Sequence, residues 1–137
     1  MKIKMPKFKY KRVMLLDDNE LDNYINEKII QACHFSEKIY KNTSGKSALE
    51  FLSNISVPEN GMIDLYPEII FVDLNMPMMD GFQFINYIKN NERSTVKNRF
   101  VILTSSINDE DRRKAYELDK EIVFLNKPLN EEMLKEL

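Results

Sequence analysis

Apolar residues fall in four short runs, at positions 13–16, 69–72, 100–103 and 122–125, with a weaker stretch at 38–40. Runs this short and rich in β-formers are too brief for helices and predict buried strands. Between them, apolar positions return at helical spacing. Leu21, Ile25, Ile29 and Ala32 predict the inward face of a helix that Asn19 or Asp18 caps and that stops near His34. Asn42, Thr43, Ser44 and Gly45 are turn formers, and Ala48, Leu49 and Leu52 mark a short helix after them. Phe82, Ile85 and Ile88, with Phe84 beside them, give a third helix that ends in the polar stretch 90–99. Asn108 and Asp111 resemble a capping pair for a fourth, whose Ala115 and Leu118 face inward. A last helix starts near Asn130, with Glu131 and Glu132 in its first turn, where negative charge is favoured. Residues 53–67 form a long connection whose Met62, Ile63, Leu65 and Tyr66 are apolar enough to pack down. Five strands alternating with five helices predict an α/β fold, a parallel sheet covered on both faces, and right-handed crossovers make it doubly wound.

The strands end on chemistry. The first runs into Asp17 and Asp18, the third into Asp73, the fourth into Thr104 and Ser105, and the fifth reaches Lys127. Taken alone, Asp73 could merely start a turn and the Asp17–Asp18 pair merely cap a helix. A parallel sheet, however, brings all these tips to one edge, where ligands bind. Three carboxylates there repel one another and suit a hard divalent cation with oxygen ligands, such as Mg2+. Lys127 adds a positive charge and Thr104 a hydroxyl donor, so the edge suits a phosphoryl group. No histidine or cysteine lies close by in sequence, and a carboxylate can serve as nucleophile.

Composition narrows the partners. At 137 residues the chain predicts one domain, with residues 1–11 as a solvated lead-in. A net charge of −2 gives no case for nucleic acid or a membrane surface. With Cys33 alone there is no internal disulfide, and the expected compartment is cytoplasmic. Gly45-Lys46-Ser47 looks like the end of a P-loop, but Tyr40 stands where that motif needs glycine, so a turn is expected. His34 reads as a helix-end residue and Cys33 as a small core residue. Met76, Met78 and Met79 read as a mobile, partner-facing loop rather than a soft-metal site.

The acid pair Asp17-Asp18, the stretch VDLNMPMMDG around Asp73, the pair Thr104-Ser105 and the dipeptide Lys127-Pro128 together resemble a CheY-like response-regulator receiver domain. The phrases LTSSINDEDRRKAYEL and NKPL make the chain most similar to stand-alone receivers found beside bacterial phytochromes. The resemblance implies a five-stranded sheet in the order 2-1-3-4-5, with residues 12–137 as the receiver. It implies Asp73 as phosphoacceptor, with Mg2+ bound by the Asp18 and Asp73 carboxylates and the Asn75 carbonyl, and by Asp17 largely through water. It implies that Thr104, Ser105 and Lys127 bind the phosphoryl group, that Phe124 is the rotating switch residue, and that the Lys127–Pro128 bond is cis. Its partners would be a sensor histidine kinase or phosphotransfer protein and a downstream protein target. It would promote its own phosphotransfer and dephosphorylation without being a conventional enzyme, and the chain reads as all receiver, with no output domain.

Two departures accompany the resemblance. Leu118-Asp119-Lys120-Glu121 replaces the usual glycine before the fifth strand, and the last helix has only about two turns. An apolar edge near Leu125, Met133 and Leu137 would then be exposed and favour a homodimer through the face formed by 109–118, 122–125 and the last helix. Phenylalanine has no hydroxyl, so nothing polar is expected to hold Phe124 outward. Two other readings are an aspartate-nucleophile phosphatase of the haloacid-dehalogenase type and a non-phosphorylated scaffold of receiver shape. The phosphatase needs a second carboxylate where Asn75 stands; the intact acid pair, Thr104 and Lys127 weigh against the scaffold.

Overall fold

The strand runs predicted above become one sheet in the computed structural model, which describes residues 7–56, 63–91 and 98–137. In chain order the first elements are β1 (Tyr10–Leu16), α1 (Glu20–Ala32), β2 (Ser36–Asn42) and α2 (Gly45–Ser56). A 3₁₀ turn at Ile63–Leu65 leads into β3 (Ile69–Val72) and α3 (Gly81–Asn91). The last are β4 (Arg99–Thr104), α4 (Asp109–Leu118), β5 (Val123–Asn126) and α5 (Glu131–Lys135). All neighbouring strands pair parallel, in the order β2-β1-β3-β4-β5. β1 begins at Tyr10, inside the stretch read as lead-in.

Side chains of successive strand residues point to opposite faces, and the core divides accordingly. Met14, Leu16, Ile70, Val72, Phe100 and Ile102 pack with Leu52, Phe84, Ile85 and Ala115, which come from α2, α3 and α4. Val13, Leu15, Ile69, Phe71, Val101 and Leu103 pack with Ile30 of α1 and Leu134 of α5. Both faces of β1, β3 and β4 are thus covered, which is why those strands read as unbroken apolar runs. Tyr66 packs down as expected and Leu65 does so in part; Met62 and the side chain of Ile63 lie outside the described residues.

Helix α1 turns a different face inward from the one its spacing predicts. Leu21, Tyr24 and Ile25 are exposed, while Asn23, Asn26 and Ile30 are buried. The helix starts beside the polar strand ends, and there an amide packs better than an aliphatic chain. Asn23 Nδ2 donates to the carbonyls of Asp17 at 3.1 Å and Asn42 at 3.2 Å. Only farther along, against the apolar middle of the sheet, does Ile30 take over. The helix ends with His34 at φ 51°, its amide donating to Gln31 and that of Phe35 to Ile30. These paired bonds satisfy the last carbonyls of the helix, so His34 serves its termination.

Three further expectations change. Asn108 caps α4 through the Glu110 amide, but Asp111 does not reciprocate; its carboxylate accepts from Ser106 Oγ at 2.6 Å. The methionines separate: Met76 is buried, Met79 packs on the core beside Gly45, and Met78 is fully exposed at φ 70°. The expected apolar edge is largely absent, because Leu137 is 6% exposed. Its carbonyl accepts from Arg99 Nη1 at 2.9 Å and from the Tyr10 hydroxyl, which draws the end of α5 against the sheet. Among the described residues no helix is long and apolar enough to cross a membrane.

Gly81 opens α3 directly beneath the tip of β3. A Cβ there would lie 2.6 Å from the Asp73 carbonyl oxygen and 3.0 Å from Leu74 Cα, both backbone atoms that cannot swing aside. Gly81→Ala should therefore destabilise the fold by about 2 kcal/mol, the cost of overpacking a tight site. Urea unfolding measures this, and a variant as stable as the parent would show that the β3–α3 loop yields freely.

Candidate functional site

The backbone ladder runs one residue past three of the strands and fixes Asp17, Asp73 and Lys127 at their tips. The Asp73 amide donates to Leu16 at 2.9 Å, that of Asp17 to Asn42 at 3.1 Å, and that of Lys127 to Thr104 at 2.8 Å. Asp17, Asp73 and Thr104 are buried in consequence, while Asp18 is exposed. Asp17, Asp18 and Asp73 each offer a carboxylate oxygen, and these oxygens lie within 4.8 Å of one another. Lys127 Nζ sits against them, 2.6 Å from Asp17 Oδ2 and 3.7 Å from Asp73 Oδ1. The Lys127–Pro128 peptide is cis.

The electrostatics follow from this crowding. Burial pushes the Asp73 carboxyl up to about 6, and the neighbouring charge of Asp17 pushes the same way; Lys127 opposes both without cancelling them. For Lys127, burial is the largest single influence and pulls its pKa down. Hydrogen bonds to Asp17 and Asp22, with the charges of Asp73 and Asp17, outweigh it and hold the ammonium above its ordinary value. The cluster therefore carries excess negative charge where a cation can settle. An all-oxygen donor set of this kind fits Mg2+, and the strain on Asp73 is what such an ion would relieve.

The remaining predicted residues lie around this centre. Thr104 is wholly buried at the end of β4, its Oγ1 accepting from the Ser106 amide at 3.2 Å. Ser105 beside it is exposed, as is Asn75 in the loop after β3. Phe124 is half-buried on β5, opposite Ile102, and packs on the α2–α4 side of the core. It does have a polar neighbour: the Arg112 guanidinium lies over its ring, 4.7 Å from the centroid. Cys33 is partly buried, as a packing residue would be.

Two residues of α1 escaped the sequence reading. Asp22 reaches Lys127 at 2.9 Å, and Asn23 ties the helix to the ends of β1 and β2. The usable signal was their place, four and five residues after Asp18 in the first turn of a helix that must begin at this edge.

Known proteins share this fold. The family model for the response regulator receiver domain matches residues 13–137. A two-component response regulator from Cytophaga hutchinsonii is 30% identical and superposes with a TM-score of 0.79 over 92% of each chain. The receiver domain of the histidine kinase CKI1 from Arabidopsis thaliana, solved with Mg2+, is 26% identical with a TM-score of 0.77, over 92% of this chain and 90% of that one. A phosphorylated cyanobacterial phytochrome response regulator, RcpA, shares the fold at 24% identity and a TM-score of 0.71, over 93% and 87%.

The raised Asp73 pKa has a consequence for stability. Between 3.8 and about 6 the folded state holds a proton that the unfolded chain has released, so stability falls as pH rises through that window. Asp73→Asn cannot ionise. Without divalent cations it should be more stable than the parent at neutral pH by about 3 kcal/mol, with the difference vanishing near pH 3.5. Urea unfolding in chelator at both pH values tests this; equal stability at neutral pH would mean that the Asp73 charge is already compensated.

Proposed function

Because the chain belongs to the response regulator receiver domain family, we propose that it accepts a phosphoryl group on Asp73 from a phosphohistidine of a sensor histidine kinase or phosphotransfer protein. The observation that carries this reading is the buried Asp73 carboxylate, set among two further carboxylates and the Lys127 ammonium. An Asp73 oxygen forms the new bond to phosphorus as the phosphorus–nitrogen bond of the donor breaks, and the imidazole leaves with a proton from solvent. The carboxylates of Asp18 and Asp73 and the Asn75 carbonyl would hold Mg2+, with Asp17 acting through a water. The ion supplies positive charge to the transferring oxygens. Thr104 and Ser105 lie on the next strand tip, where a hydroxyl can donate to those oxygens, and Lys127 can pair with them.

The same reading supplies a switch. A phosphoryl group on Asp73 draws Thr104 toward it, and Phe124 turns inward to fill the space behind. That movement gives up the contact with Arg112, worth about 0.5–1 kcal/mol at an exposed site, so Arg112 biases the ring outward before phosphorylation. The surface of α4, β5 and α5 is reshaped as a result, for a downstream protein or for a second copy of the chain.

Two experiments test the acceptor and the metal separately. Asp73→Asn should lose all labelling by acetyl phosphate or a phosphorylated kinase while keeping its circular dichroism; retained labelling refutes the acceptor. Mg2+ should raise the melting temperature of the wild type, because an ion bound only by the native state adds RT ln(1 + [L]/Kd). Asp18→Ala should abolish that rise, and a wild type indifferent to Mg2+ refutes the metal site.

A further inference from the structure

Lys127 is shared among three carboxylates, and the sharing is unequal. Its Nζ lies 2.6 Å from Asp17 Oδ2, 2.9 Å from Asp22 Oδ2 and 3.7 Å from Asp73 Oδ1. The first two are charge-assisted hydrogen bonds; the third is too long to be one. Asp22 belongs to no strand tip and stands outside the group of three acids that can share a cation. It comes from the first turn of α1, where its amide is fixed by Asn19 Oδ1 at 3.1 Å. Its side chain is 35% exposed and that of Lys127 16%, so this ion pair is partly withdrawn from solvent.

We propose that Asp22 is a positioning residue that holds the Lys127 ammonium off Asp73 and must release it when a phosphoryl group arrives. The inference rests on the reading of Asp73 as phosphoacceptor. An ammonium has three hydrogens, and here two of them are directed to Asp17 and Asp22. A phosphoryl group on Asp73 presents oxygens that compete for the same ammonium. Asp17 is anchored to the sheet and to the Asn19 amide, which donates to its Oδ1 at 2.9 Å. Asp22 is the more exposed partner and the one whose loss costs least, since water can replace the lysine. Asp22 therefore opposes formation of the phosphorylated state, and its strength as a competitor sets how readily that state forms.

The test uses the full chain and beryllofluoride, an analogue of the bound phosphoryl group, at saturating Mg2+ and about 0.15 M salt, where exposed charges are screened beyond about 8 Å. Asp22→Asn should tighten beryllofluoride binding about five-fold and speed labelling by acetyl phosphate by a similar factor. In a Lys127→Met background the gain should shrink to less than half on a logarithmic scale, a dependence that simple loosening of α1 would not produce. A gain that persists undiminished in that background shows that Asp22 acts only as a nearby negative charge, and overturns the proposal. An Asp22→Asn variant that binds no more tightly than wild type, while Asp73→Asn binds nothing, overturns the role of Asp22 and leaves the phosphoacceptor standing. Undiminished binding by Asp73→Asn overturns both.

Discussion

Holding Asp17, Asp18 and Asp73 together sets carboxylate repulsion against the rigidity of a parallel sheet. In solution three such groups would separate. Here the chain cannot relax, because the amides of Asp17 and Asp73 are themselves bonded into the ladder of neighbouring strands. The apolar faces of β1 and β3 then keep those strands in register, and burial adds to the repulsion by removing water from Asp73. Three other features crowd the same edge. Lys127 is brought over from the fifth strand, α1 turns amides inward, and the loop after Asp73 closes so tightly that only glycine fits at position 81.

What was legible in the sequence was whatever depends on short-range pattern. Strands buried on both faces leave an unbroken apolar run, and a charged residue ending such a run is conspicuous because it costs so much to put there. Asp17 and Asp73 stand out in this way, and their position at the strand tips, with Thr104 and Lys127 at neighbouring tips, is what the structure shows. The wound topology followed from alternation, and the strand order came from the resemblance.

What was not legible depends on partners that the local pattern does not reveal. The apolar spacing of Leu21 and Ile25 is genuine, but the inward face of α1 is chosen by the polar carbonyls of Asp17 and Asn42. Asp111 suits a capping pair, yet Ser106 offers it a better hydrogen bond. The tether on Phe124 comes from Arg112, on the helix before its strand. Leu137 reads as part of an exposed edge because nothing local shows that Arg99 and Tyr10 hold its carbonyl. In each case a hydrogen bond or ion contact to a residue outside the local pattern outranked it, over as few as five residues for Ser106 and Asp111.

The half-buried fifth strand gives the site an uneven mechanical character. β1, β3 and β4 have solid apolar packing on both sides, whereas every residue of β5 is only partly covered and α5 has five residues. Backbone opening is easiest where apolar contacts are few, so amides of β5 and α5 should exchange with solvent well before those of β3. By this argument Asp73 is rooted in a slowly breathing part of the sheet and Lys127 beside a faster one. A group bonded to one and gripped by the other would span a stiff region and a soft one, and would act on the soft one chiefly by quieting it.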